Sequence, residues 1–256
     1  MYSFFKNIYK ILIPKSWQFK IEPTIRKILY FLVYKGKNTK CLICLAKSKK
    51  FIAISFYNSR DKICPSCGAL SRSRALGEYV KNNFKDQSQK ILDFSPHRSL
   101  HDFFKSIFEN YISSDFENQF HAQKSYDITQ INEADRSFDL IICFHVLEHI
   151  LEDKKAINEL NRVLKNDGHL LIQVPLKTGK TYQDNSIISK EGRLKAFGQQ
   201  DHVRTYGEDS LQLILKESGF IAKPTDIVKK YNSEEKKLYG FSENEIVYIC
   251  RKSTIF

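Results

Sequence analysis

The sequence predicts an α/β protein whose parallel sheet is covered by helices on both faces, preceded by a small cysteine-rich unit. Phe138–Phe144 is a near-continuous apolar run of strand length, and 169–174 is a second one. Between them, apolar residues recur at helical spacing from 156 to 164, and Asn-Asp-Gly at 166–168 supplies a stop. Two buried strands joined by one helix form a βαβ unit with parallel strands. Because neither strand alternates with polar residues, we expect both faces of the sheet to be buried.

The composition fits one α/β domain with a small appendage. The chain has 256 residues, of which 42% are hydrophobic. Residues 1–90 hold 19 Lys and Arg against 4 Asp and Glu, a net charge of +15, whereas the rest of the chain has a net charge of −3. This basic third fits a polyanionic neighbour such as nucleic acid, an acidic membrane surface or a charged glycan. A solvated lysine-rich surface explains the charge equally well, and the sequence leaves both readings open.

The first 40 residues form a basic segment rich in aromatic side chains. The longest apolar run, 28–34, is far shorter than the roughly 20 residues that span a bilayer. Lysines interrupt the apolar residues near the start, so we predict no signal peptide and expect a cytoplasmic protein. Pro14 and Pro23 are expected to divide the segment into short pieces. We favour docking of these pieces on the following domains, with peripheral membrane contact as the alternative.

Two cysteine pairs follow with metal-binding spacing. The pattern is C-x2-C-x19-C-x2-C, which offers four thiolates to a tetrahedral Zn²⁺ site, namely Cys41, Cys44, Cys64 and Cys67. Four protein ligands leave no open position, so the zinc is expected to be structural. A redox dithiol is the weaker reading, because one pair would suffice for it. We predict a zinc ribbon with a connecting helix over 41–87, the helix spanning 71–84.

Carboxylates follow the second and third predicted strands of the remaining domain, residues 88–256. Strand 90–95 is followed by a helix at 100–108 and by strand 111–115, which ends in Asp115, 22 positions after Asp93. In nucleotide-binding folds of this kind, a carboxylate about 20 residues beyond the first strand holds the ribose hydroxyls. Asp127 follows a third short strand and could accept a hydrogen bond from an adenine amino group. Both carboxylates could also be ordinary turn residues.

Five segments together resemble the class I S-adenosylmethionine-dependent methyltransferases, in the branch related to ubiquinone-biosynthesis methylases. They are ILDFSP, YISSD, YDI, SFDLIICFHVLEHI and ELNRVLKNDGHLLIQVP. The chain is similar to a bacterial subset with N-terminal CxxC pairs and a later segment like FGQQDHVRTYG. The resemblance implies a Rossmann-like, seven-stranded sheet whose last strand, about 245–251, runs antiparallel. It also implies S-adenosylmethionine as cofactor, with contacts from Asp93, Ser95, Pro96, His97, Asp115, Asp127, Phe144 and His145.

The first loop departs from the family pattern. Glycines are usual there because backbone passes close to the cofactor, whereas 94–97 reads Phe-Ser-Pro-His. We interpret the loop as a variant that still binds cofactor; the alternative is a cofactor-free scaffold with this fold.

A dense polar patch supplies candidate catalytic residues. It follows the polar stretch 178–195, which is long enough to act as a lid. His202 is our first candidate base and His145 the second, because imidazole titrates near neutral pH. Arg204 could hold an anionic group of the acceptor, and Tyr206 completes the patch. His202 and Arg204 could instead brace the lid, and the sequence does not decide between these roles.

The motif H-x-x-E-H at 145–149 also matches a zinc peptidase signature. That signature needs both histidines on one helix face, whereas His145 directly follows a buried strand, so the peptidase reading is disfavoured. The favoured function is methyl transfer from S-adenosylmethionine to a small-molecule or glycan-type acceptor. An RNA-binding methyltransferase with a zinc ribbon and a cofactor-free scaffold are the alternatives. Nothing in the sequence demands more than a monomer.

Overall fold

The structure of the protein is a computed structural model in which residues 15–56, 59–117 and 122–253 are described. The start of the predicted N-terminal segment, with Pro14, lies outside the described residues. The described chain folds into two compact units. The first comprises residues up to 83 together with 227–245, and the second comprises 84–226 and the residues from 246 onward.

Helices and strands alternate along the described chain. The helices are α1 (Lys15–Leu29), α2 (Ser71–Asn83), α3 (Arg98–Ile107), α4 (Asp153–Val163), α5 (Lys190–Phe197), α6 (Glu208–Glu217) and α7 (Ser233–Tyr239). A π-helical turn follows α1 at Tyr30–Tyr34, and a 3-10 turn lies at Leu147–His149. The strands are β1 (Lys35–Lys40), β2 (Lys47–Ser48), β3 (Ile52–Phe56), β4 (Ser59–Ile63), β5 (Lys90–Phe94), β6 (Asn110–Ser114), β7 (Phe138–Phe144), β8 (Leu164–Gln173), β9 (Leu176–Lys177), β10 (Tyr182–Gln183), β11 (Arg204–Gly207), β12 (Phe220–Asp226) and β13 (Ile246–Lys252).

The second unit is built on one mixed sheet in the order β12-β13-β8-β7-β5-β6. Strands β6, β5, β7 and β8 are parallel, and β13 runs antiparallel to both of its neighbours. This confirms the predicted α/β fold and its antiparallel last strand. Beside β6, where a seventh strand is predicted, the described residues form a single parallel bridge between Ser114 and Lys124. The described sheet therefore has six strands, because pairing at this edge does not extend beyond that bridge.

The core of this unit lies between α4 and the central strands. The helix buries its four apolar positions, and all residues of β7 between 140 and 143 are fully buried. The helix ends at Val163, and strand pairing resumes at once, so the predicted stop at 166–168 is instead a bulge within β8. A side chain at Gly168 would lie 3.1 Å from the carbonyl oxygen of Asp139, which explains why the bulge carries glycine.

The first unit begins with one helix rather than short pieces. Helix α1 runs through Pro23, so the expected break there is wrong. An ion pair between Glu22 and Arg26 spans this position and adds support one turn apart. The following π-helical turn leaves Phe31 and Leu32 61% and 77% exposed, and the choice between docking and membrane contact for this segment stays a prediction. No helix in the described part of the chain combines the length and apolar character needed to cross a bilayer.

Candidate functional site

A cleft of about 140 Å³ lies at the carboxyl ends of β5, β6 and β7. Ligands of parallel sheets bind at this edge, where neighbouring loops diverge. Its lining combines aromatic and apolar side chains with carboxylates and histidines: Phe94, Ser95, Asp115, Phe116, Glu117, Tyr126, Asp127, Ile128, His145, Val146, His149, Ile150 and Asp201. No lysine or arginine is among these lining residues, so the cleft favours a neutral or cationic ligand over a polyanion.

Asp115 and Ser95 form the hydrogen-bonded floor of the cleft. Ser95 Oγ donates to Asp115 Oδ1 at 2.8 Å, and the Ser95 backbone N–H donates to the Ser114 carbonyl at 2.7 Å. These bonds hold the loop after β5 against the end of β6. The Asp115 residue is only 4% exposed although it lines the cleft. Its carboxylate is therefore fixed in place, which suits it to accept hydrogen bonds from a pair of ligand hydroxyls.

Two non-glycine residues with positive φ flank the cleft. Ser95 has a φ of 50° and His145 a φ of 55°, and each directly follows one of the paired parallel strands β5 and β7. For residues with a Cβ, this left-handed conformation costs about 1 kcal/mol or more. Ser95 thus adopts, without glycine, a backbone conformation that glycine usually supplies. The first loop therefore keeps this backbone conformation without glycine, and its binding of a cofactor stays a prediction.

Asp127 also lines the cleft. Its Oδ1 accepts hydrogen bonds from the backbone N–H and the hydroxyl of Thr129, both at 2.8 Å. The preceding residue, Tyr126, is anchored through its N–H to Ser114 Oγ at 2.8 Å. The carboxylate is therefore positioned by a local turn and by the end of β6.

The remaining predicted cofactor residues do not line the cleft. Pro96, His97 and Phe144 are absent from its lining. His97 instead caps α3, its Nδ1 accepting from the Ser99 N–H at 3.3 Å. Asp93 is 1% exposed within β5 and accepts a hydrogen bond from the Tyr111 hydroxyl at 2.9 Å. Of the eight predicted cofactor residues, the cleft brings together Ser95, Asp115, Asp127 and His145, and their contact with a cofactor stays a prediction.

Asp93 is expected to make stability pH-dependent. Burial raises the pKa of this carboxyl to about 8, although the bond from Tyr111 opposes the shift. The unfolded carboxyl titrates near 4, so the folded state holds a proton that the unfolded state has lost between about pH 4 and 8. Stability conferred by protonated Asp93 is full below about pH 4 and falls by about 1.4 kcal/mol per pH unit up to about pH 8. Asp93→Asn should lack this fall, and urea unfolding of both proteins at several pH values would measure the difference. Parallel stability curves would contradict the assignment.

Glu148 is a buried carboxylate behind the cleft, and in the sequence it stands out only as part of the disfavoured peptidase motif at 145–149. It is 1% exposed, and its Oε1 lies 3.2 Å from Nδ1 of His145. Its carbonyl accepts the Val203 N–H at 2.9 Å. Burial alone would raise the pKa of Glu148, but the hydrogen bond and charge of His145, with the charge of His149, lower it overall. The sequence signal for this buried carboxylate is its place between two histidines, His145 and His149, directly after a buried strand.

His149 and His202 meet beside this carboxylate. Their rings pack edge to face with centroids 4.7 Å apart, and His149 Nδ1 lies 3.3 Å from Asp201 Oδ2. His149 lines the cleft, whereas His202 is 4% exposed and does not. Burial lowers the pKa of His202, against the opposing charge of Glu148. The first candidate base from the sequence therefore lies behind the cleft wall.

Arg204 is fully engaged with protein groups. Its guanidinium donates to the carbonyls of Ile150 and Leu151 at 2.6 and 2.7 Å, and to Gln183 Oε1 at 2.9 Å. It also pairs with Asp153 Oδ2 at 2.9 Å, and that oxygen accepts the Tyr206 hydroxyl at 2.6 Å. These contacts fit the bracing role that the sequence left open for Arg204. They also anchor part of the predicted lid, since β10 pairs with β11.

The four predicted zinc ligands cluster in the first unit. One sulfur atom from each of Cys41, Cys44, Cys64 and Cys67 lies within 4.8 Å of all the others. The two cysteine turns have matching geometry, because the Cys41 N–H donates to the Ala46 carbonyl at 3.0 Å and the Cys64 N–H to the Ala69 carbonyl at 2.9 Å. The residues just after the pairs, Leu45 and Gly68, both have positive φ. Four converging thiols on two such turns fit a tetrahedral Zn²⁺ and leave no position for a substrate.

Arg74 is a buried cation that completes the first unit. It is 0% exposed, and its guanidinium donates to the carbonyls of Ala69, Lys62, Tyr239 and Gly240. It also lies 4.2 Å from the centroid of the Phe51 ring. A buried guanidinium is stable only when its donors are satisfied, so this residue ties α2 to the segment after α7.

The fold and the cleft define a class I methyltransferase architecture. A profile described as a methyltransferase domain matches residues 65–222, more than half of the chain. The chain belongs to this family, as the resemblance implied.

Parts of the chain are similar to relatives and to solved structures. An uncharacterised protein of Methanocaldococcus jannaschii is 28% identical over 131 residues, which is 46% of this chain and 55% of the relative. A probable S-adenosylmethionine-dependent methyltransferase of Mycobacterium tuberculosis is 26% identical over 109 residues, which is 40% of this chain and 36% of the relative. The matches thus span about half or less of these relatives. A solved protein of Pyrococcus horikoshii matches with a TM-score of 0.49 and 16% identity, over 72% of this chain and 90% of its own.

Proposed function

We propose that this protein is a methyltransferase that binds S-adenosylmethionine in the cleft at the ends of β5, β6 and β7. The observation that carries the proposal is the Asp115 carboxylate, fixed by Ser95 Oγ at 2.8 Å at the edge of the parallel sheet. This carboxylate would accept the two ribose hydroxyls, and Asp127 would accept from the adenine amino group. Membership of the methyltransferase-domain family supports the same cofactor.

The charge of the cleft suits this cofactor and limits the acceptor. Its lining carries Asp115, Glu117, Asp127 and Asp201 without any lysine or arginine. Carboxylates stabilise a sulfonium cation and repel phosphates. We therefore infer a small-molecule or glycan-type acceptor rather than the phosphate backbone of RNA.

His145 is our candidate for removing a proton from the acceptor. Methyl transfer mainly requires that the acceptor atom and the methyl carbon are aligned, and a base assists when the acceptor is a hydroxyl. Of the two candidate bases, His145 lines the cleft and His202 does not. Glu148 Oε1 lies 3.2 Å from His145 Nδ1, and this contact orients the imidazole ring.

Calorimetric titration with S-adenosylhomocysteine tests the cofactor site. The wild-type protein should bind, and Asp115→Ala should weaken binding about 100-fold or more, because two hydrogen bonds to a charged group contribute roughly 3 kcal/mol or more. Asp102→Ala is a matched control, since Asp102 is an exposed aspartate of α3. It should bind as tightly as the wild type.

Two outcomes would count against the proposal. Wild-type affinity in Asp115→Ala, with an unchanged melting temperature, would remove Asp115 from the site. No binding by the zinc-loaded wild type would contradict cofactor binding and favour the scaffold alternative.

A further inference from the structure

Two buried polar atoms beside the cleft have no hydrogen-bond partner. They are Glu148 Oε2 and His202 Nε2, on residues that are 1% and 4% exposed. A buried polar group without a hydrogen-bond partner destabilises the folded state. Two of them on neighbouring residues therefore indicate a ligand that both would contact.

The donor atoms around this point form a mixed nitrogen and oxygen set. One imidazole nitrogen of His149, one of His202 and one carboxylate oxygen of Glu148 all lie within 4.8 Å of one another. Two imidazoles with one carboxylate are a ligand set of first-row divalent metal ions, including Zn²⁺. The four-cysteine cluster belongs to the other unit and shares none of these residues.

We propose that Glu148, His149 and His202 bind a divalent transition-metal ion at the wall of the cleft. A single metal ion would bind both Glu148 Oε2 and His202 Nε2. If these side chains served only in packing, both atoms would be left without a partner. Three protein ligands leave at least one coordination position open, as in catalytic rather than structural sites.

The surrounding bonds hold the ligands in place before any ion binds. The other carboxylate oxygen of Glu148, Oε1, lies 3.2 Å from His145 Nδ1. This contact orients the carboxylate. The Val203 N–H binds the Glu148 carbonyl at 2.9 Å, so the residue after His202 is joined to the loop that carries the other two ligands. Arg204 binds further carbonyls of that loop. Outer contacts of this kind fix ligand geometry.

The open position would face the cleft, because His149 also lines it. If the proposed methyl transfer is correct, this favours an acceptor with a hydroxyl oxygen that would bind the metal and pass its proton to the imidazole of His145, the candidate base of the cleft. That oxygen then forms a bond to the methyl carbon, while the electron pair of the S–CH₃ bond stays on sulfur and S-adenosylhomocysteine leaves. This last inference rests on the proposed function, whereas metal binding does not.

Metal content of the purified full chain tests the site. After equilibration with Zn²⁺ and dialysis, mass spectrometry of the metal should find two zinc ions per wild-type chain. His149→Ala should hold one, and Glu148→Gln should also hold one. His149 is the safer position because its side chain is 29% exposed, so its loss should not unfold the protein. His169→Ala, a half-buried histidine outside the cluster, should retain two.

The controls separate this proposal from the cofactor site. Loss of one zinc in His149→Ala, with an unchanged melting temperature, would support the metal site. A wild-type chain that binds S-adenosylhomocysteine but holds only the zinc lost in Cys64→Ser would overturn it. Two zinc ions in a chain that does not bind S-adenosylhomocysteine would support the metal site and contradict the proposed methyltransferase function.

Discussion

Replacing Cys64 by serine is expected to abolish zinc binding at the four-cysteine cluster and to unfold the first unit. Cys64 is 1% exposed, and its sulfur lies 3.7 Å from that of Cys44. The hairpins of this unit are short, with two to six residues per strand, so they bury little apolar surface. Structural zinc contributes on the order of 10 kcal/mol to folding in small domains, which is more than short hairpins can replace.

Metal analysis and limited proteolysis would measure this effect. Cys64→Ser should lose one zinc ion and become sensitive to cleavage between residues 35 and 70. Cys250→Ala is the matched control, because Cys250 is equally buried but lies in β13 outside the cluster. It should keep its zinc and lose about 1 kcal/mol of stability. Unchanged zinc and protease resistance in Cys64→Ser would contradict the ribbon.

Replacing Arg204 by leucine is expected to destabilise the second unit by about 3–5 kcal/mol, the cost of breaking a buried ion pair. Arg204 is 1% exposed, and its loss leaves Asp153 and several loop carbonyls without their donor. Because the same loop carries Glu148 and His149, S-adenosylhomocysteine affinity and the proposed second zinc should fall as well. Arg204→Lys should recover little, since an ammonium cannot reach all these acceptors at once.

Urea unfolding and the same calorimetric titration separate bracing from catalysis. Arg251→Leu is the control, because Arg251 is exposed and its guanidinium donates to His169 Nε2 at 2.8 Å. Its stability should change by no more than about 0.5 kcal/mol. If Arg204→Leu kept wild-type stability and cofactor affinity but transferred methyl groups slowly, Arg204 would act on the acceptor and the bracing role would be wrong.

The parts of the fold that depend on burial pattern were accessible from sequence. The apolar run of β7 and the helical spacing of α4 predicted the βαβ unit because both faces of the strand are covered. The strand before Asp115 predicted where this carboxylate lies. The two-residue spacing within each cysteine pair predicted a metal-binding turn, because it reflects local geometry. Such features depend on near neighbours in the chain.

Features that depend on distant partners were not accessible. A sequence shows that Arg204 is charged, but not that carbonyls 54 and 53 positions earlier accept its donors. The burial of Glu148 depends in the same way on the later segment with His202. The positive φ of Ser95 was not predicted, because glycine is the only residue type that indicates this conformation reliably. The predicted break at Pro23 was wrong, because the loss of one backbone hydrogen bond did not end a helix of 15 residues.

Arg74 imposes an order on the making of this protein. Two of its carbonyl acceptors, those of Tyr239 and Gly240, lie 165 and 166 positions later in the chain. A chain is synthesised from its N-terminus, and domains usually fold as they emerge. Here the cysteine turns leave the ribosome well before those partners, and the nearby guanidinium lacks both carbonyls until translation has passed residue 240. The first unit is therefore completed only after the intervening residues 84–226 have been synthesised, and a chain released before residue 240 lacks two of the carbonyls that bind the Arg74 guanidinium.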